Sequence, residues 1–391
     1  MTDGPDSAVV IVGAGQAGCQ AAVSLRERGH RGTITLIGDE GVLPYQRPPL
    51  TKAYLQGDIG FGDLVFRPET YYAEHDITLV LDDAAVSVDR AARCVVLRSG
   101  RAVGYENLVL ATGSRPRPIP GAHTIRTIAD ADSARPEGRV VAIGAGFIGL
   151  EYAAVASEAG CDVTVIEAQP RALSRVLSSE TAEHVVQVHR RRGVKFLFNA
   201  TVSEVRPGEV VLADGTVLPA DLVVAGIGVV PNAELAAEAG LTVDDGIVVD
   251  PWLRTSDPAI FAVGDCARFH HGARQIRLEC VQNAVDQASA VAAVITGSAE
   301  PYAQVPWFWS DQYAMKVQIA GVTDGHDNVV VTGDPTTGAF SVFCFAGDKL
   351  LGVESVNKPV DHVLARRLIA ANCPIRPEMV AVPGFDLRTA A

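Results

Sequence analysis

The feature that most constrains the fold is the stretch Val9–Gly18, which reads VVIVGAGQAG. Four apolar residues predict a strand, and the residues from Cys19 to Arg28 are typical of a helix. Between strand and helix, G-x-G-x-x-G predicts a dinucleotide site. Gly13 permits a tight turn, Gly15 lets the backbone approach a pyrophosphate, and Gly18 allows close packing of helix on strand. The alternative is an ordinary glycine-rich turn without a ligand.

The pattern occurs twice, and the second copy lies about 130 residues after the first, at Gly144–Gly149. Each copy is followed by a second strand that ends in an acidic residue, Asp39 or Glu167, where a ribose hydroxyl is usually held. Asp39 could instead be a solvated loop carboxylate. Because Glu167 would repel a 2′-phosphate, it favours NADH over NADPH, although Arg171 and Arg175 could accommodate that phosphate.

Composition excludes several classes of function. The chain has 391 residues and a net charge of −13, so nucleic acid and anionic membranes are poor candidates for the main partner. The sequence contains no run of about 18 uncharged apolar residues, so we do not expect a membrane span. The seven cysteines form no C-x-x-C or C-x-x-x-x-C pair. We therefore expect a cytoplasmic protein without a signal segment, a metal site or a local redox dithiol.

Between the two fingerprints, residues 43–52 contain adjacent prolines, which predict an extended, rigid loop. Such a loop could place Arg47 and Lys52 at a ligand, or could be a plain surface connector. The strand at 106–110 ends in Ala-Thr-Gly (111–113), whose small residues let the chain pass close to a cofactor. Three prolines at 116, 118 and 120 then predict a stiff linker at a domain boundary.

After the second fingerprint, the apolar strand 221–225 ends in Gly226 and Gly228, facing the same crevice. Asp265 follows another short apolar strand at a predicted helix start, where it could bond a sugar-alcohol hydroxyl or simply cap the helix. A helix is predicted over residues 278–296. The aromatic cluster 305–313 precedes alternating strands and one helix, which together predict a small α+β domain.

Two dinucleotide sites on one chain suggest electron transfer between two cofactors. The motifs at Gly13–Gly18, RPPLTK (47–52), GFIGLE (146–151), AVGDCA (262–267) and PWFWSDQY (306–313) make the chain resemble the FAD-dependent, NADH-using ferredoxin reductases of bacterial oxygenase systems. This is the putidaredoxin reductase and rhodocoxin reductase group. The resemblance implies an α/β, glutathione-reductase-like fold with two Rossmann-type domains and a small α+β C-terminal domain.

The implied domains are an FAD domain over 1–112 and 246–310, an NADH domain over 113–245 and an interface domain over 311–391. The resemblance also implies that Lys52 and Glu151 form a catalytic ion pair beside the flavin, and that Trp309 lies between the flavin and the docking surface of a ferredoxin. The implied FAD-binding residues are Gly13, Gly15, Ala17, Gly18, Asp39, Arg47, Lys52, Ala85, Ala111, Thr112, Gly113, Arg126, Asp265, Val281 and Trp309. The implied NADH-binding residues are Gly144, Gly146, Phe147, Ile148, Gly149, Glu167, Arg175, Gly226, Gly228 and Glu279.

The implied cofactors are FAD and NADH, and the implied partner is an iron–sulfur ferredoxin of 2Fe-2S type that feeds an oxygenase. Alternatives on the same fold are a rubredoxin reductase, an NADH oxidase or an NADH-sensing flavoprotein of the apoptosis-inducing-factor type. The oxidases usually carry a redox cysteine in the 41–52 region, and this chain has none. Because a ferredoxin is usually acidic, docking would need local cations, for which the candidates are Arg67, Arg274, Arg277, Lys316 and Lys358.

Overall fold

The computed structural model describes residues 6–272, 274–298 and 300–389. The chain forms two compact units, each built from separate stretches of sequence. The first unit comprises the described residues of 1–46, 61–115 and 229–304, and the second comprises 47–60, 116–228 and the described residues of 305–391. These bounds differ from those of the three predicted domains, and the three-domain division remains a prediction. The first five and last two residues of the predicted domains lie outside the described residues.

A five-stranded parallel sheet is the centre of the first unit. Its strands lie in the order Ile260–Ala262, Asn107–Leu110, Val9–Val12, Ile34–Ile37 and Ile77–Val80. All four neighbouring pairs are parallel, as expected for strands made mostly of buried Val, Ile and Leu. The carboxyl ends of these strands therefore lie along one edge of the sheet, which is where ligands bind in such folds.

Helices cover this sheet. Helix Gln16–Glu27 contacts helix Val281–Ile295, and the hydroxyls of Ser24 and Ser289 lie 3.3 Å apart between them. The other helices of the first unit are Phe61–Leu64, Glu69–Glu74 and Glu234–Glu238. Its other strands are Ala85–Asp89, Cys94–Leu97, Ala102–Gly104, Val229–Pro231, Ile247–Val248, Ala267–His271 and Arg274–Ile276, and Ser114–Pro116 crosses from this unit into the second.

The second unit repeats the pattern with a four-stranded parallel sheet. Its strands lie in the order Lys195–Phe198, Asp162–Glu167, Arg139–Ile143 and Leu222–Ala225. The helices of the N-terminal part of this unit are Ala53–Gln56, Ile128–Ser133, Phe147–Glu158 and Ser179–Arg191. A small antiparallel sheet adds the strands Val202–Arg206, Glu209–Leu212 and Val217–Pro219.

The C-terminal part of the second unit is a five-stranded antiparallel sheet with helices on it, as the alternating pattern predicts. Phe343, Phe345, Val353 and Leu368 form its buried core between sheet and helix. In spatial order the strands are Trp307–Gln312, Met315–Gly321, Lys349–Val356, Ala339–Ala346 and Asn328–Asp334. The helices are Pro359–Ala370 and Pro377–Val380. Within the described ranges, no helix is both long and apolar enough to cross a bilayer.

Three local predictions are wrong. The first fingerprint helix begins at Gln16 rather than Cys19, because Gly15 directly precedes the first helical turn. Residues Pro48–Thr51 form a 3-10 turn rather than an extended loop, because the fixed φ of proline also suits the first turn of a helix. Gly264–Cys266 is an isolated 3-10 turn followed by a strand, not a helix start.

Candidate functional site

The first fingerprint has a geometry that requires its glycines. Gly13 has φ +111°, and a Cβ there would lie 2.1 Å from the carbonyl oxygen of Ala111. A Cβ on Gly18 would lie 1.8 Å from the carbonyl oxygen of Gly13. By contrast, a Cβ on Gly15 would meet no atom within 4 Å, and helix Gln16–Glu27 begins there without a side-chain cap. An uncapped helix end facing open space can receive a phosphate.

Asp265 lies beside this helix. Its carboxylate accepts a hydrogen bond of 2.8 Å from Ser114, and a Cβ on the neighbouring Gly264 would lie 3.1 Å from the Cβ of Ala17. The backbone N–H of Gly264 donates to Oε1 of Gln287, whose buried Nε2 has no hydrogen-bond partner in the described part of the chain. Because a strand follows the Asp265 turn, this carboxylate does not cap a helix. Asp265 and Ala17, both predicted to contact FAD, are thus brought together.

The Ala111–Gly113 segment is fixed by Asn232. The Thr112 hydroxyl donates to the Asn232 carbonyl oxygen at 2.5 Å, and the Asn232 side-chain amide donates to the Thr112 carbonyl oxygen at 2.9 Å. The Asn232 backbone N–H donates to the Gly113 carbonyl oxygen at 2.9 Å. These three bonds hold the segment where it leaves the parallel sheet.

The remaining predicted residues of the first unit lie on three separate elements. Asp39 is exposed just past strand Ile34–Ile37, and Ala85 begins strand Ala85–Asp89. Val281 is the first residue of helix Val281–Ile295, and the exposed Glu279 just before it forms an ion pair with Arg277. Between them, burial raises the pKa of the Cys280 thiol to about 11, so this thiol stays protonated at neutral pH.

The second fingerprint repeats the geometry of the first. Gly144 has φ +98°, and a Cβ there would lie 2.6 Å from the carbonyl oxygen of Gly226. A Cβ on Gly149 would lie 2.0 Å from the carbonyl oxygen of Gly144. Helix Phe147–Glu158 follows Gly146 and has no side-chain cap. Gly226 therefore lies against the turn.

Glu167 is positioned by the backbone. Its Oε2 accepts from the N–H of Ala145 inside the fingerprint turn, and its Oε1 accepts from the N–H of Gln169, both at 2.8 Å. Arg175 is exposed, and its Nη2 lies 3.5 Å from where a Cβ of Gly228 would be. A carboxylate thus stands at the second fingerprint turn, and a guanidinium stands beside Gly228.

Two apolar side chains begin the second fingerprint helix. The ring of Phe147 lies 4.5 Å from the ring of Phe308, measured between centroids. Ile148 is 43% exposed, which is high for an isoleucine beside a buried sheet. An exposed apolar side chain at this position can contact a bound ring.

Lys52 and Glu151 form an ion pair inside the second unit. Lys52 Nζ lies 2.5 Å from Glu151 Oε2, and the side chains of Lys52 and Glu151 are 21% and 4% exposed. The hydroxyl of Thr51 donates to Oε2 at 2.7 Å, and the hydroxyl of Ser310 donates to Oε1 at 2.6 Å. The 3-10 turn delivers Thr51 and Lys52 together. The carboxylate therefore has three donors, which is what a buried charge needs.

The other predicted FAD residues of the second unit are Arg47, Arg126 and Trp309. Arg47 Nη1 donates to the carbonyl oxygen of Arg126 at 2.7 Å, so these two predicted residues are brought together. Trp309 lies on strand Trp307–Gln312, with its ring 5.5 Å from that of Trp307.

The five candidate docking cations differ in how available they are. Arg277 is only 11% exposed and is paired with Glu279, so it is a poor candidate for a docking surface. Lys316 and Lys358 lie 3.7 and 3.3 Å from a carboxylate of the same unit. Arg67 lies over the Tyr71 ring at 5.5 Å, and Arg274 is exposed.

Sequence reasoning missed the polar residues that hold this machinery in place. The sequence patterns predict no role for Ser114, Asn232, Ser310 or Thr51. The sequence signals are that Ser114 directly follows the Ala-Thr-Gly segment and that Ser310 lies within the 306–313 motif. Their partners could not be inferred, because they come from segments more than 100 residues away.

Comparison with known proteins decides the family. Residues 7–288 match the family described as pyridine nucleotide-disulphide oxidoreductase, and residues 307–391 match the family described as reductase C-terminal. The chain belongs to the pyridine nucleotide-disulphide oxidoreductases. Within that family it is a ferredoxin reductase. Rhodocoxin reductase of Rhodococcus erythropolis is 49% identical over 400 residues, which cover 98% of this chain and 94% of the relative.

Two solved structures agree with this assignment. A ferredoxin reductase from Rhodopseudomonas palustris is 44% identical with a TM-score of 0.94, and covers 98% of this chain and 99% of its own. The covalent putidaredoxin reductase–putidaredoxin complex matches at 40% identity with a TM-score of 0.95, over 98% of each chain. The predicted fold class, the enzyme class and the use of FAD and NAD(H) are thereby confirmed.

The residues present fit both cofactors. Each fingerprint offers an uncapped helix end, and Gly15 has the open space that a pyrophosphate requires. Among the described residues the Nε2 of Gln287 has no hydrogen-bond partner, so it adds a buried donor to the first site. In the described ranges, no group of three or more His, Cys, Asp or Glu side chains could hold a metal ion.

Proposed function

We propose that this protein oxidises NADH through FAD and passes single electrons to a 2Fe-2S ferredoxin that serves an oxygenase. The observation that carries the proposal is the ion pair of Lys52 with the buried Glu151, on a chain whose sequence has no C-x-x-C or C-x-x-x-x-C pair. The seven cysteines are all free thiols, and none lies in residues 41–52. The matched putidaredoxin reductase is known in covalent complex with putidaredoxin, which supports a ferredoxin partner here.

Bound FAD would supply the chemistry that no side chain can, since it takes two electrons from a dinucleotide and releases them one at a time. The chain's own residues bind and orient. We propose that the first fingerprint binds the FAD pyrophosphate at its helix end, and that Asp265 accepts a hydrogen bond from a hydroxyl of the cofactor. Arg47, Lys52, Arg126 and Trp309 are proposed to contact FAD as well.

We assign NADH to the second fingerprint. Glu167 would accept from the ribose hydroxyl without having to reorient, because two backbone N–H groups already fix its carboxylate. Arg175 and Gly228 would flank the adenosine end. A carboxylate at this position favours NADH, because it would lie against the 2′-phosphate of NADPH.

Lys52 would stabilise negative charge where the flavin becomes reduced, and Glu151 would hold Lys52 in place. A fixed ammonium in a partly buried site acts more strongly than one in water, because less solvent screens its charge. No proton needs to leave Lys52 for this role. The contribution is positioning and electrostatics rather than acid–base catalysis.

A steady-state assay with three electron acceptors tests the proposal. NADH oxidation is followed with a 2Fe-2S ferredoxin, with a rubredoxin and with oxygen alone. We expect fast turnover with the ferredoxin and slow turnover with the other two. Fast turnover on oxygen alone would contradict the proposal and favour an oxidase, and fast turnover with rubredoxin only would favour a rubredoxin reductase.

A further inference from the structure

The ion pair of Lys52 and Glu151 is the end of a longer chain of hydrogen bonds. From Glu151 the chain passes to Ser310 and Gln312 on strand Trp307–Gln312, and then to His189 on helix Ser179–Arg191. It ends at Tyr313. Ser310, Gln312 and His189 are each 1% exposed or less, so water does not interrupt the series.

The distances are those of ordinary hydrogen bonds. Ser310 Oγ lies 2.6 Å from Glu151 Oε1, and Gln312 Nε2 lies 3.1 Å from Ser310 Oγ. His189 Nε2 lies 2.8 Å from Gln312 Oε1, and the Tyr313 hydroxyl lies 3.3 Å from His189 Nδ1.

Elementary donor rules fix the direction of every bond. An ionised carboxylate can only accept hydrogen bonds, so Ser310 donates its one hydroxyl proton to Glu151. The Ser310 oxygen must then accept from the Gln312 amide N–H. That leaves the Gln312 oxygen facing His189, whose Nε2 must carry the proton and whose Nδ1 must accept from Tyr313. All the donors therefore point the same way, toward Glu151.

A chain with one direction polarises along its length, and each member strengthens the next. The amide of Gln312 prevents it from being a proton wire, because an amide does not readily exchange its proton for another. Burial lowers the pKa of His189 to about 4, so the ring stays neutral near pH 7 and keeps the tautomer that the chain requires.

We propose that Ser310, Gln312 and His189 are positioning residues for the Lys52–Glu151 pair, fixing the Glu151 carboxylate and through it the Lys52 ammonium. The inference rests on the proposed function, in which Lys52 acts on the flavin. It gives the C-terminal sheet a direct role in that chemistry, because two members of the chain lie on its first strand.

The direction of the chain is tested without activity. Nitrogen-15 NMR of histidine-labelled protein reports which ring nitrogen is protonated, and a His189→Gln variant assigns the signal. The expected result is a neutral ring with the proton on Nε2. A proton on Nδ1, or a positively charged ring near pH 7, would overturn the directed chain.

Function is tested with Ser310→Ala, which removes the donor to Glu151. We expect the rate of flavin reduction by NADH to fall about tenfold while the KM for NADH changes less than twofold. The balance between reduced and oxidised flavin should shift about tenfold toward oxidised, or about 30 mV for a two-electron couple. Cysteine is a weaker donor of similar size, so the reduction rate and flavin potential of Ser310→Cys should lie between those of Ser310→Ala and the parent protein.

The matched control is Ser341→Ala. Ser341 is fully buried in the same sheet and donates to Asp361 instead, so its loss should leave the flavin potential unchanged. If Ser310→Ala loses FAD or fails to fold, Gln312→Met interrupts the chain one bond further out and should shift the potential about threefold in the same direction. An unchanged potential and reduction rate in Ser310→Ala, or in Gln312→Met where Ser310→Ala cannot be measured, would overturn the inference.

Lys52→Met separates this inference from the proposed function. If Lys52→Met lowers flavin reduction and Ser310→Ala does not, the positioning role alone is wrong. If neither variant changes reduction, the role assigned to Lys52 in the proposed function is wrong as well.

Discussion

Replacing Glu151 by glutamine removes one charge from the central ion pair while keeping its shape. In the parent protein the carboxylate accepts from Thr51, Lys52 and Ser310 at 2.7, 2.5 and 2.6 Å. Breaking one partner of a fully buried pair costs roughly 3–5 kcal/mol. Because Lys52 is 21% exposed and partly screened by water, we take the lower end, about 3 kcal/mol.

If that loss falls on the step in which Lys52 meets developing negative charge, flavin reduction slows by about a hundredfold. The assay is anaerobic stopped-flow mixing with excess NADH, followed by the flavin absorbance, in protein whose FAD content has been measured. Asp162→Asn is the control, since it removes an exposed pair with Lys195 of similar length, 2.7 Å, and should have little effect. A reduction rate for Glu151→Gln within twofold of the parent, at full FAD content, would refute the reasoning.

Three further predictions concern cofactor choice, acid stability and a buried carboxylate. Glu167→Ala should raise the KM for NADH about tenfold and lower that for NADPH, in steady-state assays with each; unchanged values would contradict the ribose role. Burial lowers the pKa of His189 and His362 to about 4, so the stability held by the neutral rings is complete above about pH 6.5 and is lost as the pH falls toward 4, up to about 3 kcal/mol each. The thermal midpoint of the parent protein should therefore drop between pH 7 and 5, and that of His362→Phe should drop less. An equal drop in the two proteins would contradict the role assigned to His362. Burial raises the pKa of Glu354, so its effect on stability has the opposite pH dependence and grows less favourable as the pH rises. Glu354→Ala should lower the thermal midpoint by a few degrees, because Ser178 loses two hydrogen bonds.

The fingerprints could be predicted from sequence because their constraints are local. Gly13 and Gly18 are required by atoms of the turn itself and of the strand beside it, so the pattern of glycines carries the information. The same holds for Glu167, which ends the strand next to the fingerprint strand. The parallel order of the strands follows from this repeated strand–helix–strand unit.

Side-chain partners from distant segments could not be predicted in this way. Ser310 meets Glu151 across 159 positions, and Ser114 meets Asp265 across 151 positions. No local pattern encodes such a contact, because it depends on how strands from separate stretches align. The turn at Pro48 was predicted wrongly for a different reason, since proline suits both an extended chain and a first helical turn.

The most direct test of the account is a single anaerobic mixing experiment. Protein reduced by one equivalent of NADH is mixed with an excess of oxidised 2Fe-2S ferredoxin, and the absorbance of both partners is followed. The account predicts that two ferredoxins are reduced for each flavin, because each cluster accepts one electron. If the flavin stays reduced beside oxidised ferredoxin and is reoxidised only when oxygen is admitted, the central claim is wrong.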